Sequence, residues 1–294
     1  MRMIIKFFVW MTAYSPSFIR ISVGKLLGFT AFVLFSDLRK VVIKNLEITG
    51  FCLEGKGCHK LVRNVFVELG IAVTQLGPIW SWNIEKTLSL ISEVQGIDQL
   101  NDAIKKNKGV ILFTGHFGSW EFLNQYLAVY WSISIIYRRI DNDVLETLIK
   151  NFRTRTGSIL LEKKAALRPL IRALREGKMV GVLTDQNVDK HEGIFSPFFG
   201  RMASTSPLVA SLARVRYSPI FGVFATRTKD HKKIIIKFKE LKYDAENFNE
   251  QFIIDRQNQI LEEEINKNPE QYWWFHKRFK AVKDDDLYPY DFGN

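Results

Sequence analysis

The chain has 294 residues, 47% hydrophobic and 25% charged, which is the composition of a globular protein with a substantial core. Its formal net charge of +11 predicts a polyanionic partner: nucleic acid, an anionic membrane surface or an acidic substrate. The 13% aromatic content favours lipid. No nucleic-acid-binding motif is recognisable, so we expect no nucleic-acid partner.

The first 45 residues combine apolar bulk with interleaved cations such as Lys6, Arg20 and Lys25. This pattern is typical of a helix lying in a negatively charged leaflet. The longest uncharged stretch after Lys25, "LLGFTAFVLFS", is too short to cross about 30 Å of hydrocarbon as a straight helix. We predict a membrane-associating segment over 1–45 and an α/β domain over 46–294. A single tilted span and an ordinary helical hairpin packed on the domain both stay open.

Residues 1–95 read as a largely helical N-terminal layer. The chain's two cysteines, Cys52 and Cys58, lie here with His59 beside them, but no second ligand pair follows at zinc-site spacing. We therefore expect free thiols, with an incidental disulfide or metal site as the alternative.

From residue 96 onward, apolar runs alternate with helical patterns. Strands are predicted over 109–115, 132–139, 158–163, 178–186, 218–227 and 232–241, and helices over 119–130, 143–157, 165–177, from 206, and 251–267. A loop is predicted over 187–205. The alternation predicts an α/β fold whose central sheet, mostly parallel or mixed, is flanked by helices.

The stretch "GVILFTGHFGSWEFL" contains the clearest candidate for chemistry. His116 follows a buried strand, a position where open α/β sheets place their sites. Gly115 and Gly118 allow a tight turn, and Ser119 is placed to cap the next helix. The turn returns Glu121 toward the imidazole, which predicts that Glu121 orients His116 as a general base. The alternative is a structural histidine with Glu121 as a partner of the helix dipole.

"HFGSWE" resembles the H-x4-E motif of the late (secondary) lipid A acyltransferases, which add lauroyl and myristoyl chains. Further resemblances follow in the family's order: "YRRIDN", "RTRTG", "LTDQ", "PFFG" and "PEQYWWFHKRFK", with "RKVVIKNL" near the beginning. The similarity covers nearly the whole chain, and this sequence has "YRR" where many members have "YRP".

The resemblance implies acyl transfer from an acyl carrier protein thioester to the hydroxyl of a 3-hydroxyacyl chain on a lipid A precursor. It implies His116 as base with Glu121 as its partner, no cofactor or metal, and a location on the cytoplasmic face of the inner membrane, in contact with its lipids. The alternatives are another glycolipid or phospholipid acceptor, a coenzyme A thioester as donor, or a non-catalytic lipid-binding protein.

Two arginines are candidate substrate ligands, because guanidinium groups bind phosphate oxygens and stabilise an oxyanion. Arg138 follows the second predicted strand, and Arg153 matches the family's arginine. The alternative is a solvated helix face with scattered ion pairs.

Asp185 and Gln186 end another predicted strand, where they would hold a substrate sugar or brace an arginine, or else cap a turn. Phe198 and Phe199 would line an acyl-chain tunnel, or pin their loop onto the core. Gly200 is a candidate substrate-binding residue in the same loop and would supply a turn with positive φ.

Overall fold

The computed structural model describes residues 2–53, 58–283 and 287–292. The helices in these ranges are α1 (Arg2–Tyr14), α2 (Ser17–Leu34), α3 (Ser36–Ile48), α4 (His59–Ser81), α5 (Ile84–Leu88), α6 (Ile97–Lys105), α7 (Trp120–Tyr130), α8 (Asp143–Thr154), α9 (Leu167–Arg175), α10 (Leu208–Arg216) and α11 (Glu250–Lys267). The strands are β1 (Ile91–Gln95), β2 (Val110–Thr114), β3 (Ile133–Tyr137), β4 (Ile159–Glu162), β5 (Met179–Leu183), β6 (Ile194–Phe198), β7 (Arg201–Thr205), β8 (Ile220–Arg227) and β9 (Ile234–Leu241).

Seven strands form the central sheet in the order β1-β9-β8-β2-β5-β3-β4. Strands β8, β2, β5, β3 and β4 are parallel, while β9 is antiparallel to β8 and parallel to β1. The predicted α/β fold with a mostly parallel, helix-flanked sheet is therefore confirmed. Because β2 and β5 are neighbours in register, with Thr114 beside Leu183, the residues that follow these two strands meet at one edge of the sheet.

Apolar cores lie on both faces of the sheet. One core packs α9, α10 and α11 against the sheet, together with parts of α3 and α4, and the other packs α6 and α7. Residues 110–113 of β2 and all of β8 are buried, as expected for central strands covered on both faces. This rigid double packing fixes the strand ends on which the site is built.

Helices α1 and α2 both pack closely against α4, and α2 runs antiparallel to it. A Cβ at Gly28 of α2 would lie 2.3 Å from the carbonyl oxygen of Phe66, so only glycine allows this approach. By length and composition, α2 is the one candidate for a membrane span among the described helices, and 22% of it is buried. The predicted boundary at residue 45 falls inside α3.

Three local predictions need correction. Cys52 and Cys58 form a disulfide, and their Cα atoms lie 5.7 Å apart, a normal spacing for the bond. Strand β1 lies inside the layer predicted to be helical, and the predicted loop 187–205 contains the β6–β7 hairpin.

Candidate active site

The turn between β2 and α7 carries His116 at the carboxyl edge of the sheet. Ser119 occupies the position before α7, as predicted, but its hydroxyl makes no cap bond to the helix. Gly118 has φ +57°, and a Cβ there would lie 2.1 Å from the carbonyl oxygen of Ala225. A residue with a side chain would therefore distort the turn that follows the histidine.

Asp185, which follows β5, binds His116 at two points. Its Oδ2 accepts the backbone N–H of His116 at 2.8 Å, and its Oδ1 lies 2.9 Å from the ring Nδ1. Only 3% of Asp185 is exposed. With a proton on Nδ1 donated to this carboxylate, Nε2 is the nitrogen free to accept a proton.

The electrostatics of the pair favour an imidazole that readily binds a proton. Burial lowers the pKa of His116, but the carboxylates of Asp185 and, to a smaller extent, Glu121 together outweigh it, so the net pKa lies above the ordinary value. Burial raises the pKa of Asp185, yet the charge of His116 and its hydrogen bonds bring the net pKa below the usual range. The arrangement resembles the base and orienter of acyl-transfer enzymes.

The predicted contact between Glu121 and the imidazole is wrong. Both carboxylate oxygens of Glu121 bind Arg153 of α8, with Nε at 3.1 Å from Oε2 and Nη2 on Oε1. Their charges still act on the pKa of His116, which Glu121 raises and Arg153 lowers. The carboxylate is thus near the ring but paired with a cation, and Asp185 takes the orienting position because β5 is adjacent to β2.

The other strand-end candidates have different surroundings. Asp185 is buried against His116, so it is not exposed to a substrate sugar, whereas Gln186 next to it is exposed. Arg138 is exposed just after β3, at the same edge of the sheet. The structure therefore brings Arg153 and Asp185 to the histidine and leaves Arg138 and Gln186 on the open surface.

Two tryptophans flank the imidazole. The ring centroids of Trp120 and Trp273 lie 5.6 Å and 6.3 Å from that of His116. Both tryptophans also line a groove along α4, whose apolar lining includes Val65, Leu69, Ala72, Trp120, Trp273 and Phe275. The site thus combines a positioned base with a small adjoining groove, whose lining also includes the polar residues Glu68, Arg227, Glu270 and Gln271. Trp120 is part of the "HFGSWE" stretch, but nothing in the sequence indicated that it would contact the histidine.

Asn45 links the motif near the beginning of the chain to the motif near its end. Its side-chain amide donates to the carbonyl oxygens of Trp274 and His276, at 2.7 Å and 2.9 Å. The backbone N–H of Trp273 in turn donates to the carbonyl oxygen of His116, at 2.9 Å. The Asn-Leu segment therefore holds the tryptophan segment in place over the histidine.

The "PFFG" segment forms the turn of the β6–β7 hairpin. Phe199 and Gly200 have φ +51° and +74°, which confirms the positive φ predicted at Gly200 and forms a tight two-residue hairpin turn. Phe198 is 0% exposed, and its ring packs with that of Phe279. Because its ring is part of the core, Phe198 pins the loop onto the core, which is the alternative role predicted from the sequence. None of the three residues lines the described groove.

The described residues contain no group of three or more His, Cys, Asp or Glu side chains that could hold a metal ion. The groups present are an imidazole with an anionic partner, a carboxylate–guanidinium pair and an apolar groove. These groups suit proton transfer next to a lipid chain.

The chain matches the model of a family described as bacterial lipid A biosynthesis acyltransferase over residues 2–281. It belongs to that family. It is 26% identical over 284 residues to the lipid A biosynthesis palmitoleoyltransferase of Escherichia coli, covering 95% of this chain and 92% of that protein. It is 24% identical to the lipid A biosynthesis lauroyltransferase of the same organism, with 93% and 89% covered. A lipid A biosynthesis acyltransferase of Haemophilus influenzae is 26% identical, with 86% and 82% covered.

Membership in the lipid A acyltransferase family makes the chain an O-acyltransferase and confirms the resemblance read from the ordered motifs. Five of those motifs supply residues at or around the histidine: His116 with Glu121, Arg153, Asp185, Trp273 and Asn45. These side chains come from distant parts of the sequence, so the fold rather than the sequence spacing assembles the site.

Proposed function

We propose that the chain transfers a fatty acyl group from an acyl carrier protein thioester to the hydroxyl of a 3-hydroxyacyl chain on a lipid A precursor. The observation that carries the proposal is the bond of His116 Nδ1 to Asp185, 2.9 Å long, at the end of an apolar groove. A bound and oriented imidazole beside a groove with apolar side chains suits activation of a hydroxyl on a lipid.

In the proposed step, His116 Nε2 takes the hydroxyl proton as the oxygen attacks the thioester carbonyl carbon. The carbon–sulfur bond then breaks, and the imidazolium returns the proton to the departing thiolate. Asp185 stabilises the imidazolium between these two transfers, as the aspartate does in a catalytic triad. No covalent acyl-enzyme forms.

Arg153 and Glu121 are proposed as catalytic support at the same site. Arg153 bears a positive charge that suits either the developing oxyanion or a lipid phosphate. Burial lowers the pKa of Arg153, but the Glu121 carboxylate raises it, and the net pKa lies above the ordinary value, so the guanidinium stays charged. Arg138, exposed at the same edge of the sheet, is a further candidate for a phosphate, and exposed Gln186 for a sugar hydroxyl.

The groove along α4 is proposed as the acyl-chain site. Its lining includes the two tryptophans that flank His116, so a chain entering there would bring its carbonyl near the base. Apolar pockets with a few polar groups at one end are the usual form of such sites.

Helices α1 and α2 are proposed as the part that enters the cytoplasmic leaflet of the inner membrane. Large apolar side chains recur on the outer face of α1 and continue along α2. The exposed residues include Met3, Ile4, Phe7, Trp10, Tyr14, Phe18, Leu26, Phe29, Val33 and Leu34. The membrane-associating segment over 1–45 and the domain over 46–294 remain the proposed division.

The test is to incubate the purified chain, in lipid vesicles, with a lipid A precursor and acyl carrier protein thioesters of several chain lengths. Mass spectrometry should find a new acyloxyacyl product whose mass reports the donor chain. If product forms only with coenzyme A thioesters, coenzyme A replaces acyl carrier protein as the donor. If product forms only on another glycolipid, that glycolipid replaces the lipid A precursor as the acceptor. No transfer to any acceptor would contradict the proposal.

A further inference from the structure

The turn after His116 needs support from outside itself. Gly118 must be glycine, because its φ is +57° and a Cβ would strike the carbonyl oxygen of Ala225. Glycine also has the greatest backbone freedom of any residue, so this turn has little stiffness of its own. The backbone N–H groups of Gly118 and Ser119 are held by the carbonyl oxygens of Gln271 and Ala225, at 2.9 Å and 2.7 Å.

The carbonyl oxygen of Gly118 is held by a buried arginine. Arg227, the last residue of β8, donates from Nη1 to this oxygen at 2.7 Å. Its Nε and Nη2 bind Oε2 of Glu68 on α4, at 3.0 Å and 2.7 Å. The Arg227 side chain is 1% exposed and that of Glu68 is 9% exposed. Since the guanidinium is planar and rigid, Glu68 fixes the direction in which Nη1 points.

Arg227 and Glu68 together form a clamp on the Gly118 carbonyl oxygen. The contacts of this clamp close into a ring. Arg227 Nη1 also reaches Ser119 Oγ at 3.4 Å, and Ser119 Oγ donates to Gln75 Oε1 at 3.2 Å. Gln75 Nε2 donates to the carbonyl oxygen of His231 at 3.0 Å, and His231 Nε2 lies 2.5 Å from Glu68 Oε1. Glu68 and Gln75 are seven residues apart on α4, two turns along one face.

A buried ion pair is a costly way to stabilise a fold, because apolar residues of similar size often do as well or better. Arg227 of this pair binds the backbone two residues after His116, and both residues line the groove that adjoins it. We propose that Arg227 and Glu68 are a positioning pair for His116, acting through the Gly118 carbonyl. The inference rests on the proposed acyl-transfer function, and it assigns roles to two residues that lie outside the ordered motifs.

The test compares Arg227→Lys and Glu68→Gln with a matched control, Arg216→Lys. Arg216 also binds backbone carbonyl oxygens, those of Leu174 and Arg175 at 3.2 Å and 2.8 Å, but at the opposite edge of the sheet. A lysine has one ammonium group and cannot hold both Glu68 and the Gly118 oxygen as the guanidinium does. We expect kcat to fall about 10- to 100-fold in both test variants with KM changed little, because the base is misplaced rather than the substrate lost. The control should keep the kcat of the parent.

Chemical rescue separates positioning from general damage. Added guanidinium ion should restore part of the kcat of Arg227→Ala, whereas it should not restore His116→Ala. Parental kcat in folded Arg227→Lys and Glu68→Gln would overturn the inference.

Amide hydrogen exchange tests the clamp without any turnover. Exchange at Gly118 and Ser119 should be faster in Arg227→Lys than in the parent and in Arg216→Lys. An inactive parent would count against the proposed function alone. The exchange rates would then decide whether Arg227 and Glu68 hold the turn at Gly118. Unchanged exchange at these two amides would overturn the inference in either case.

Discussion

The carboxylate of Asp185 binds both the backbone N–H and the ring Nδ1 of His116, at 2.8 Å and 2.9 Å. Two contacts from one buried group fix both the position and the rotation of the imidazole. An imidazole held in this way loses little conformational entropy when it reaches a reactive geometry. The pairing also joins the ends of two adjacent parallel strands, which makes the base part of the sheet's rigid framework.

Replacing Asp185 with asparagine should remove the charge while keeping the size of the side chain. Without the carboxylate, the imidazolium loses its counter-ion and the tautomer is no longer enforced, so kcat should fall about 10²- to 10⁴-fold. The measurement is the steady-state rate of acyl transfer. A variant that keeps the parental rate would exclude Asp185 as the orienter. The matched control is Asp189→Asn, which changes an exposed aspartate in the following loop.

The pH dependence of the rate should report the same pair. His116 acts as a base only when neutral, so the rate should fall as the pH drops through its pKa. The Asp185 carboxylate contributes to raising that pKa above the ordinary value of about 6.5. In Asp185→Asn the pKa should be lower, and the acidic limb of kcat/KM should move to lower pH. A limb that stays in place, or moves to higher pH, would contradict the assignment.

Glu121 and Arg153 should behave as one unit in a double-mutant cycle. Glu121→Gln and Arg153→Lys each break a pair bonded at both carboxylate oxygens, so each should lower kcat/KM. The double variant should be nearly as active as the worse single variant, because the second change removes a partner already lost. Additive losses would instead mean that the two residues act independently.

Filling the groove should change which acyl chains are transferred. Ala72 lines the groove from α4, so Ala72→Trp should lower kcat/KM for long acyl donors more than for short ones. The control is Val73→Trp, on the next residue, which is exposed and outside the groove lining. Equal losses for every chain length would exclude the groove as the acyl-chain site.

Membrane binding should depend on the exposed aromatic face of α1. Phe7 and Trp10 are 62% and 57% exposed and lie on the same face of the helix. Because burying a large apolar side chain contributes roughly 1.5–3 kcal/mol, replacing both with serine should weaken vesicle binding by about 100-fold or more. Co-sedimentation with anionic vesicles measures this, with Tyr130→Ser, an exposed aromatic on α7, as the control. Unchanged binding would exclude this face as the membrane contact.

The sequence predicted the sheet and the position of His116 because both depend on local pattern. β2 is a continuous apolar run, and a histidine at its end is visible without any structure. The partner of the histidine was not predictable in this way. Asp185 was recognised at a strand end, but its contact with His116 depends on β5 lying next to β2, which strand order alone decides.

Other elements were missed for related physical reasons. β1 is a short edge strand, largely open to solvent, so it lacks the apolar run of a buried strand. The β6–β7 hairpin turns at Phe199, and phenylalanine rarely adopts a positive φ. Strand β6 also contains Pro197, a residue type that argues against a strand in a sequence. Glu68 and Arg227 are 159 residues apart, and no local pattern connects them.

The rate of acyl transfer by His116→Ala is the most direct test of the account. The variant should bind vesicles as the parent does, since α1 and α2 are unchanged, while its kcat should fall by at least about 10²-fold. Mass spectrometry of the lipid A precursor, after incubation with an acyl carrier protein thioester, measures the acylated product formed by the variant and by the parent in the same assay. A His116→Ala protein that forms product at the parent's rate would contradict the account.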